Sequence, residues 1–431
     1  MSDPNPVPGP RVIIVADSAS ARFGGEAVLP LHYYRILRRR GVPAWLVVHE
    51  RTRAELSELF GADDHIHYVP DTRWHLVAWQ IGQRLPARVS YLTTGFVLRL
   101  LTQQAQKKVM RQLVSQHGAN LIHQPTPVSP KEPSLMRRLG APVIFGPMNG
   151  GMQYPPAFRY LESRFERVSV VAARALSGLV NRLLPGKREA ALLLVANART
   201  RAALPPGLRA PVIESVENAV DLSKWGPPEG VSPARPTHTR YVFLGRLVKL
   251  KAVDLLLRAF AQASQSEPMS LQVVGDGDER AALETLARQL GVLGGQADEP
   301  GRVYFSGWQP QAACTAILRH SEALVLPSMV ECGGAVVLEA MACGLPVIAT
   351  RWGGPADYLD DQCGILIDPD SPASFTDNLA LALAELGRNA PRRQAMGRLG
   401  RAKIAAEYDW EVKVDRMLGI YQQALAQHAL T

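Results

Sequence analysis

Short β-branched runs alternate with stretches of helical spacing along most of this chain of 431 residues. The first run, RVIIVAD at 11–17, leads to Gly24 and Gly25 and then to helical spacing over 26–40. Strands that are separated by helices pair in parallel, because a crossover needs a dozen or more residues. The alternation therefore predicts an α/β fold whose parallel sheets are covered by helices on both faces. Further strands are predicted at 44–49, 120–123, 142–145, 192–196, 241–244, 271–275, 302–307, 323–327, 345–350 and 364–369.

A proline-rich segment at 224–239 interrupts the alternation, which restarts at 241. We therefore predict two Rossmann-like, doubly wound domains, over 1–218 and 219–409. A helical segment over 410–431 follows them.

The composition is that of a globular protein without a membrane span. Apolar residues make up 47% and charged residues 20% of the chain. No apolar run approaches the roughly 20 residues that a spanning helix needs. The N-terminus MSDPNPVPGPR lacks the pattern of a signal peptide, so we expect a cytoplasmic protein. The four cysteines form no metal-ligand spacing and are interpreted as reduced thiols.

Positive charge is concentrated in the N-terminal half. Residues 1–210 carry 28 Lys+Arg and 13 Asp+Glu, a net charge of +15, whereas residues 211–431 have a net charge of −6. Such a surface attracts nucleic acid, anionic lipid or a phosphorylated substrate, although an Arg-rich composition can also reflect a GC-rich genome. No nucleic-acid-binding motif is present, so we predict no nucleic-acid partner.

The stretch 327–350, PSMVECGGAVVLEAMACGLPVIAT, has the richest chemistry. Glu331 follows a predicted strand, Gly333 and Gly334 precede a helix, and Glu339 lies on that helix. Helix N-terminal amides bind phosphate, and carboxylates accept hydrogen bonds from vicinal hydroxyls. The pattern predicts a site for an anion and a sugar. The alternative is an ordinary strand–turn–helix whose glutamates face solvent.

This stretch resembles the E-x7-E region of retaining glycosyltransferases of family four, which have the GT-B fold. Other motifs occur in the family's order, namely VENAVDL at 216–222, GRLVKLK at 245–251, VGDG at 274–277, FSG at 305–307, WGGP at 352–355 and GILIDP at 364–369. The resemblance implies two Rossmann-like domains that face a cleft, with the final helix crossing back to the N-terminal domain. One departure is Glu331-Cys332-Gly333-Gly334, where the family usually has E-G-F-G.

The resemblance also implies roles for individual residues. Arg246 and Lys251 match the family's cationic pair, which stabilises the leaving nucleoside diphosphate without a metal ion. Glu339 would hold the ribose, and Glu331 would contact the donor hexose. The remaining predicted donor-binding residues of this half are Gly245, Gly333, Gly334 and Ala335.

The N-terminal half matches the family more loosely. Gly24 and Gly25 resemble the glycine loop that faces the donor phosphates, although a plain tight turn is the alternative. His123, at a strand end, matches a histidine that reaches the donor sugar in some members, although a lone histidine is more often structural. Asn149, Gly150 and Gly151 follow the next strand and are predicted to line the cleft on the acceptor side.

We expect no metal and no cofactor other than the nucleotide-sugar co-substrate. Asp276-Gly277-Asp278 lies in a predicted turn rather than in a metal-binding D-x-D. No P-loop, G-x-S-x-G or zinc pattern occurs.

The combined prediction is a retaining glycosyltransferase that moves a hexose to a saccharide or lipid-linked saccharide, in cell-surface polysaccharide or glycolipid assembly. A nucleotide-sugar 2-epimerase of the same fold and a catalytically dead GT-B scaffold are the alternatives.

Two stretches, 68–118 and 158–184, mix large apolar residues with Arg and Lys. They are typical of peripheral binding to an anionic membrane, here the inner face of the cytoplasmic membrane. Amphipathic helices packed on the N-terminal sheet are the alternative.

Overall fold

The structure is a computed structural model of the chain, and it describes residues 9–23, 25–86, 89–90, 93–162, 177–227 and 238–430. These residues form two compact units. The first takes its described residues from Met1–Gly151, Val168–Glu217 and Lys413–Thr431, and the second from Met152–Arg167 and Asn218–Val412.

The first unit contains a sheet of seven strands in which every recorded strand pair is parallel. Its strands are β1 (Val12–Val15), β2 (Ala44–His49), β3 (Ile66–Val69), β4 (Leu121–Gln124), β5 (Val143–Met148), β6 (Leu192–Val195) and β7 (Val212–Glu214). Its helices are α1 (Gly25–Arg39), α2 (Arg53–Phe60), α3 (Arg73–Gln83), α4 (Thr94–His117) and α5 (Ala198–Ala202), and residues 177–183 are also helical. The strand order is β3-β2-β1-β4-β5-β6-β7.

The second unit contains a six-stranded sheet that is also parallel. Its strands are β8 (Thr239–Leu244), β9 (Met269–Val274), β10 (Val303–Gly307), β11 (Ala323–Leu326), β12 (Val347–Thr350) and β13 (Gly364–Ile367). The helices that follow are α6 (Val253–Ala263), α7 (Arg280–Gln289), α8 (Gln311–His320), α9 (Ala335–Ala342), α10 (Gly354–Tyr358), α11 (Pro372–Arg388), α12 (Ala390–Lys403) and α13 (Trp410–Ala429). Short 3-10 helices lie at Glu50–Thr52, Pro156–Leu161, Lys187–Glu189 and Lys249–Lys251, and a π-helical turn at Ile404–Tyr408.

The strand order of the second sheet is β10-β9-β8-β11-β12-β13, so the chain starts at the central strand β8, proceeds to the edge at β10 and returns to the centre at β11. The first sheet does the same at β1 and β4. The predicted pair of doubly wound Rossmann-like sheets is confirmed. At such a reversal of direction, the loops after the two central strands diverge and leave a crevice for ligands. In the second unit these loops follow β8 and β11.

The last helix, α13, returns to the first unit, as predicted. From Lys413 onward its residues belong to that unit. The Tyr421 hydroxyl lies 2.7 Å from Nδ1 of His123 on β4, and the Lys413 ammonium donates to the Val216 carbonyl. Burial lowers the pKa of Lys413 to about 7.

Two features differ from the sequence-based division. Strands β3 and β7 are present in the structure but were not predicted. β3 has polar residues at its centre and β7 is only three residues long, so neither shows the apolar run by which strands are predicted. Residues 152–162 pack with the second unit, although the predicted first domain extended to 218. The Trp352 indole donates to the Gln153 carbonyl at 2.8 Å, and the buried Phe158 ring lies 6.1 Å from that of Phe375.

The loop after β8 packs backbone to backbone against the loop after β9. Gly275 has φ +133°, and a Cβ atom on it would lie 2.0 Å from the Gly245 carbonyl oxygen. A Cβ on Gly277 would lie 2.4 Å from the Leu247 oxygen, and the Leu247 amide donates to Asp276 O at 2.9 Å. The VGDG motif therefore fixes the position of the loop that carries Arg246 and Lys251.

We predict that Gly275→Ala destabilises the second unit by at least about 3 kcal/mol, because it combines backbone strain with a clash that neither loop can relieve. Gly291→Ala is the matched control. Gly291 also has a positive φ, +73°, but no atom lies within 4 Å of the position that a Cβ would take, so it should lose only about 1–2 kcal/mol. Urea unfolding followed by circular dichroism measures both losses, and equal losses would contradict the packing account.

Candidate functional site

The loops after β8 and β11 meet through an ion pair. The Lys251 ammonium binds the Glu331 carboxylate, and their side chains are only 16% and 15% exposed. The Met329 amide also donates to the Leu250 carbonyl at 2.9 Å. The structure therefore brings two predicted site residues, 80 positions apart in sequence, together where the sheet topology places a ligand crevice.

Arg246 lies in the same loop as Lys251 and is exposed. It forms no ion pair with any residue in the described ranges. The loop thus offers one uncompensated guanidinium next to a compensated ammonium, which makes Arg246 available to an anion.

Glycines hold the loop that carries Glu331. Gly334 has φ +64°, and a Cβ on it would lie 3.1 Å from Glu331 Cγ. The Gly354 amide donates to the Glu331 carbonyl at 2.8 Å, and a Cβ on Gly353 would lie 2.3 Å from that oxygen. A Cβ on Gly354 would lie 2.6 Å from the Gly333 oxygen. The WGGP turn therefore packs directly on this loop.

Glu339 lies on α9, which begins at Ala335. Burial raises the pKa of its carboxyl group to about 7. No residue of the described chain forms an ion pair or a side-chain hydrogen bond with this carboxylate. A half-buried acceptor with no donor recorded among the described residues suits a ligand that supplies hydroxyl groups.

Asp276 belongs to a turn, in agreement with its sequence-based interpretation. Its carboxylate accepts from the Gly277 amide at 2.8 Å and from Arg280 at 3.1 Å. These hydrogen bonds lower its pKa.

In the first unit, Gly24 lies outside the described residues, and Gly25 is the first residue of α1. The preceding loop is held by Glu55, a buried residue that the sequence analysis missed. Its carboxylate accepts from the Ser20 hydroxyl and from the Ala21 amide at 2.8 Å. No local motif marks Glu55, because it lies more than 30 positions away on α2.

His123 is fully buried on β4. Its Nε2 donates to the Gly146 carbonyl at 2.6 Å, and its Nδ1 accepts from the Tyr421 hydroxyl at 2.7 Å. Burial lowers the pKa of His123 to about 4, so the ring is neutral. Both nitrogens are engaged within the unit, and this placement favours a structural role over the predicted contact with the donor sugar.

Asn149, Gly150 and Gly151 are also engaged internally. The Asn149 amide donates to Glu217 at 2.6 Å, and the Gly150 amide donates to the Thr200 hydroxyl at 3.1 Å. Gly151 has φ +77° in a position with no room for a side chain. Their predicted contact with the acceptor stays a prediction.

Within the described ranges, one group of side chains has the spacing of metal ligands, namely His49, Asp71 and His75. However, Nδ1 of His49 accepts from the Arg51 amide, which leaves the ring proton on Nε2, 3.2 Å from Asp71. Nδ1 of His75 likewise accepts from the Thr72 amide at 3.0 Å. These tautomers favour a hydrogen-bond network over metal ligation.

Helix α3 exposes large apolar side chains on its surface. They are Trp74, Leu76, Val77, Trp79 and Ile81, each 44% to 69% exposed. Among the described residues, no helix is both long and apolar enough to cross a bilayer. In the second basic stretch, 158–184, residues 163–176 lie outside the described part of the chain.

Residues 230–403 match the family model described as glycosyl transferases group 1. This part of the chain therefore carries a glycosyl transferases group 1 domain, and the resemblance found in its sequence is confirmed there.

Curated relatives include the D-inositol 3-phosphate glycosyltransferase of Segniliparus rotundus, 33% identical over 51% of this chain and 48% of the relative. A GDP-mannose-dependent monoacylated alpha-(1-6)-phosphatidylinositol monomannoside mannosyltransferase of Corynebacterium glutamicum is 31% identical over 49% of this chain and 56% of the relative. The chain spans about half the length of these curated relatives.

Solved structures match nearly the whole chain. Sucrose-phosphate synthase from Thermosynechococcus elongatus has a TM-score of 0.62 at 18% identity and covers 97% of this chain and 100% of its own. Anabaena HepE in complex with UDP has a TM-score of 0.62 at 15% identity and covers 96% of this chain and 100% of its own. These matches confirm the GT-B fold.

We predict that Glu339→Gln stabilises the protein at pH 8 by at most about 3 kcal/mol. A carboxyl group with a raised pKa favours its protonated form in the fold. The wild-type protein therefore loses stability as the pH rises from about 4.5 to about 7, and the amide avoids this loss. The melting temperatures of the wild type and of Glu339→Gln, measured between pH 4.5 and 8, should diverge as the pH rises. Glu58→Gln, at an exposed glutamate, is the control. If the melting temperatures of Glu339→Gln and the wild type change in parallel with pH, the raised pKa of Glu339 is contradicted.

Proposed function

We propose that this protein is a retaining hexosyltransferase that uses a nucleoside-diphosphate sugar. The observation that carries the proposal is the pairing of Lys251 with Glu331 at the crevice of the second sheet, beside the uncompensated Arg246. These charges lie within the matched glycosyl transferases group 1 domain.

In the proposed donor complex, Arg246 and Lys251 bind the diphosphate, Glu339 accepts hydrogen bonds from the ribose, and Glu331 binds hydroxyls of the hexose. The half-buried position and the raised pKa of the Glu339 carboxyl group support its assignment. The loop of Gly333 and Gly334 presents backbone amides at the start of α9, where partial positive charge favours phosphate.

The reaction breaks the bond between the anomeric carbon and the diphosphate oxygen. The acceptor hydroxyl attacks from the face that the diphosphate leaves, and a donor phosphate oxygen takes its proton. The cations stabilise the charge that develops on the leaving group, so the protein supplies orientation and electrostatics rather than a general base. We expect no metal requirement.

We propose a saccharide or lipid-linked saccharide as the acceptor, bound mainly by the first unit, with the protein docked on an anionic membrane. The name of the Corynebacterium glutamicum relative includes a phosphatidylinositol acceptor. Residues 72–131 contain no Asp or Glu, while their cations are Arg73, Arg84, Arg88, Arg99, Lys107, Lys108, Arg111 and Lys131. Exposed apolar side chains of α3 lie at the start of this stretch. Apolar insertion together with cations on anionic lipid is the physics of peripheral docking.

The deciding experiment incubates the protein with UDP- and GDP-sugars and with soluble or lipid-linked acceptors, and analyses the products by mass spectrometry. Transfer to an acceptor with release of nucleoside diphosphate supports the proposal. Conversion of a donor without any acceptor would indicate an epimerase, and nucleotide binding without turnover would indicate a binding scaffold.

Arg246→Ala and Lys251→Ala should each reduce kcat by about 10²–10³, because each removes a preorganised charge from the leaving group. Lys249→Ala, at an exposed cation in the same loop, is the matched control and should retain normal turnover. Steady-state kinetics with the donor identified above measure the effect, and EDTA should leave wild-type turnover intact. Near-normal rates in both site variants would remove these residues from the mechanism.

Replacing both Trp74 and Trp79 by Ser should weaken binding to vesicles about tenfold or more, because two large apolar side chains no longer insert into the interface. Co-sedimentation with phosphatidylcholine vesicles of increasing phosphatidylglycerol content measures this. Wild-type binding should rise with the anionic fraction and fall with salt. Trp308→Ser is the control, since Trp308 is 73% exposed on the second unit. Equal losses in both variants, or no wild-type binding at low salt, would exclude this docking surface.

A further inference from the structure

We propose that the Lys251–Glu331 ion pair makes the donor site favour an intact nucleotide sugar over the free nucleoside diphosphate. This inference rests on the proposed function, because it assigns Lys251 to the diphosphate and Glu331 to the hexose. It adds that the two groups are coupled through their mutual contact.

The Lys251 ammonium cannot bind a diphosphate and the Glu331 carboxylate equally well at the same time. In this structure its ammonium is bound to the Glu331 carboxylate, and both side chains are largely shielded from solvent. A free nucleoside diphosphate draws Lys251 toward its own charge. Glu331 is then left as a shielded carboxylate without its counter-ion, close to a second anion, and both effects cost free energy.

The surrounding backbone prevents the loop from relieving this cost by moving away. The Glu331 carbonyl accepts from the Gly354 amide at 2.8 Å, and the WGGP turn leaves no space for a Cβ at Gly353. The Met329–Leu250 hydrogen bond ties the same loop to the loop of Lys251. The backbone of Glu331 therefore stays at the crevice whether or not Lys251 is bound, which keeps the carboxylate within side-chain reach of the diphosphate.

A hexose on the diphosphate removes the free-energy cost of separating Lys251 from Glu331. Its hydroxyls donate to Glu331 in place of the ammonium, so Lys251 is released to the diphosphate without leaving an unpaired charge. After transfer of the hexose, Glu331 again lacks a partner and competes with the product for Lys251. The ion pair thus promotes release of the product.

Isothermal titration calorimetry tests this with UDP and UDP-glucose and with GDP and GDP-mannose. Glu331→Gln, and as a second variant Glu331→Ala, should bind the free diphosphate about tenfold more tightly than the wild type, since no charge is left unpaired. Affinity for the nucleotide sugar should not improve. Asp360→Asn, which removes the carboxylate of the Lys403–Asp360 pair outside these loops, is the control and should change neither affinity.

A thermodynamic cycle separates the ion pair from simple repulsion between Glu331 and the phosphates. In a Lys251→Ala background, Glu331→Gln should give a much smaller gain in diphosphate affinity, because no pair remains to be broken. An equal gain in both backgrounds, or no gain in folded Glu331 variants, overturns the inference and leaves the proposed function standing. No binding of any of the four nucleotides to the wild type overturns both.

Discussion

The structure depends on the parallel direction of its strands. Parallel strands deliver their carboxyl ends to one edge of a sheet, and the reversal of strand order makes the loops after β8 and β11 neighbours at that edge. Lys251 and Glu331 meet there only because of this topology. The glycines of the VGDG and WGGP turns then allow the backbone contacts that fix both loops. The strand order thus determines which loops meet at the site, and the glycines determine how closely these loops pack.

Features that depend on local sequence motifs could be predicted best. The strands and glycine turns of the second unit are compact motifs, so they predicted the sheet and marked Lys251 and Glu331 as site residues. Local motifs do not reveal contacts between residues that are distant in the sequence. Phe158 joins the second unit through an aromatic contact with Phe375, more than 200 positions away. The contact of His123 with the donor sugar stays a prediction, and the hydrogen bond of His123 with Tyr421 in α13 is one that no motif around His123 reveals.

The candidate donor site carries groups that a stability-optimised fold would avoid. Glu339 is a half-buried carboxylate with no side-chain donor recorded in the described protein, and its raised pKa means that ionisation opposes folding. Lys251 and Glu331 are desolvated and offset each other only partly. Such local inconsistencies are expected where a ligand, rather than the protein, satisfies the polar groups. The site is therefore recognisable by its energetic cost as well as by its motifs.

The return of α13 to the first unit has a consequence for the order of folding during synthesis on the ribosome. Apart from residues 152–162, the described second unit is one continuous stretch that ends at Val412. It can complete its sheet as soon as that stretch has emerged. The first unit is translated earlier but lacks Tyr421, the hydrogen-bond partner of His123, until α13 has emerged. The unit whose translation begins first therefore gains its last helix only after the stretch Asn218–Val412 of the second unit has been translated, whereas domains usually fold in N-terminal-first order.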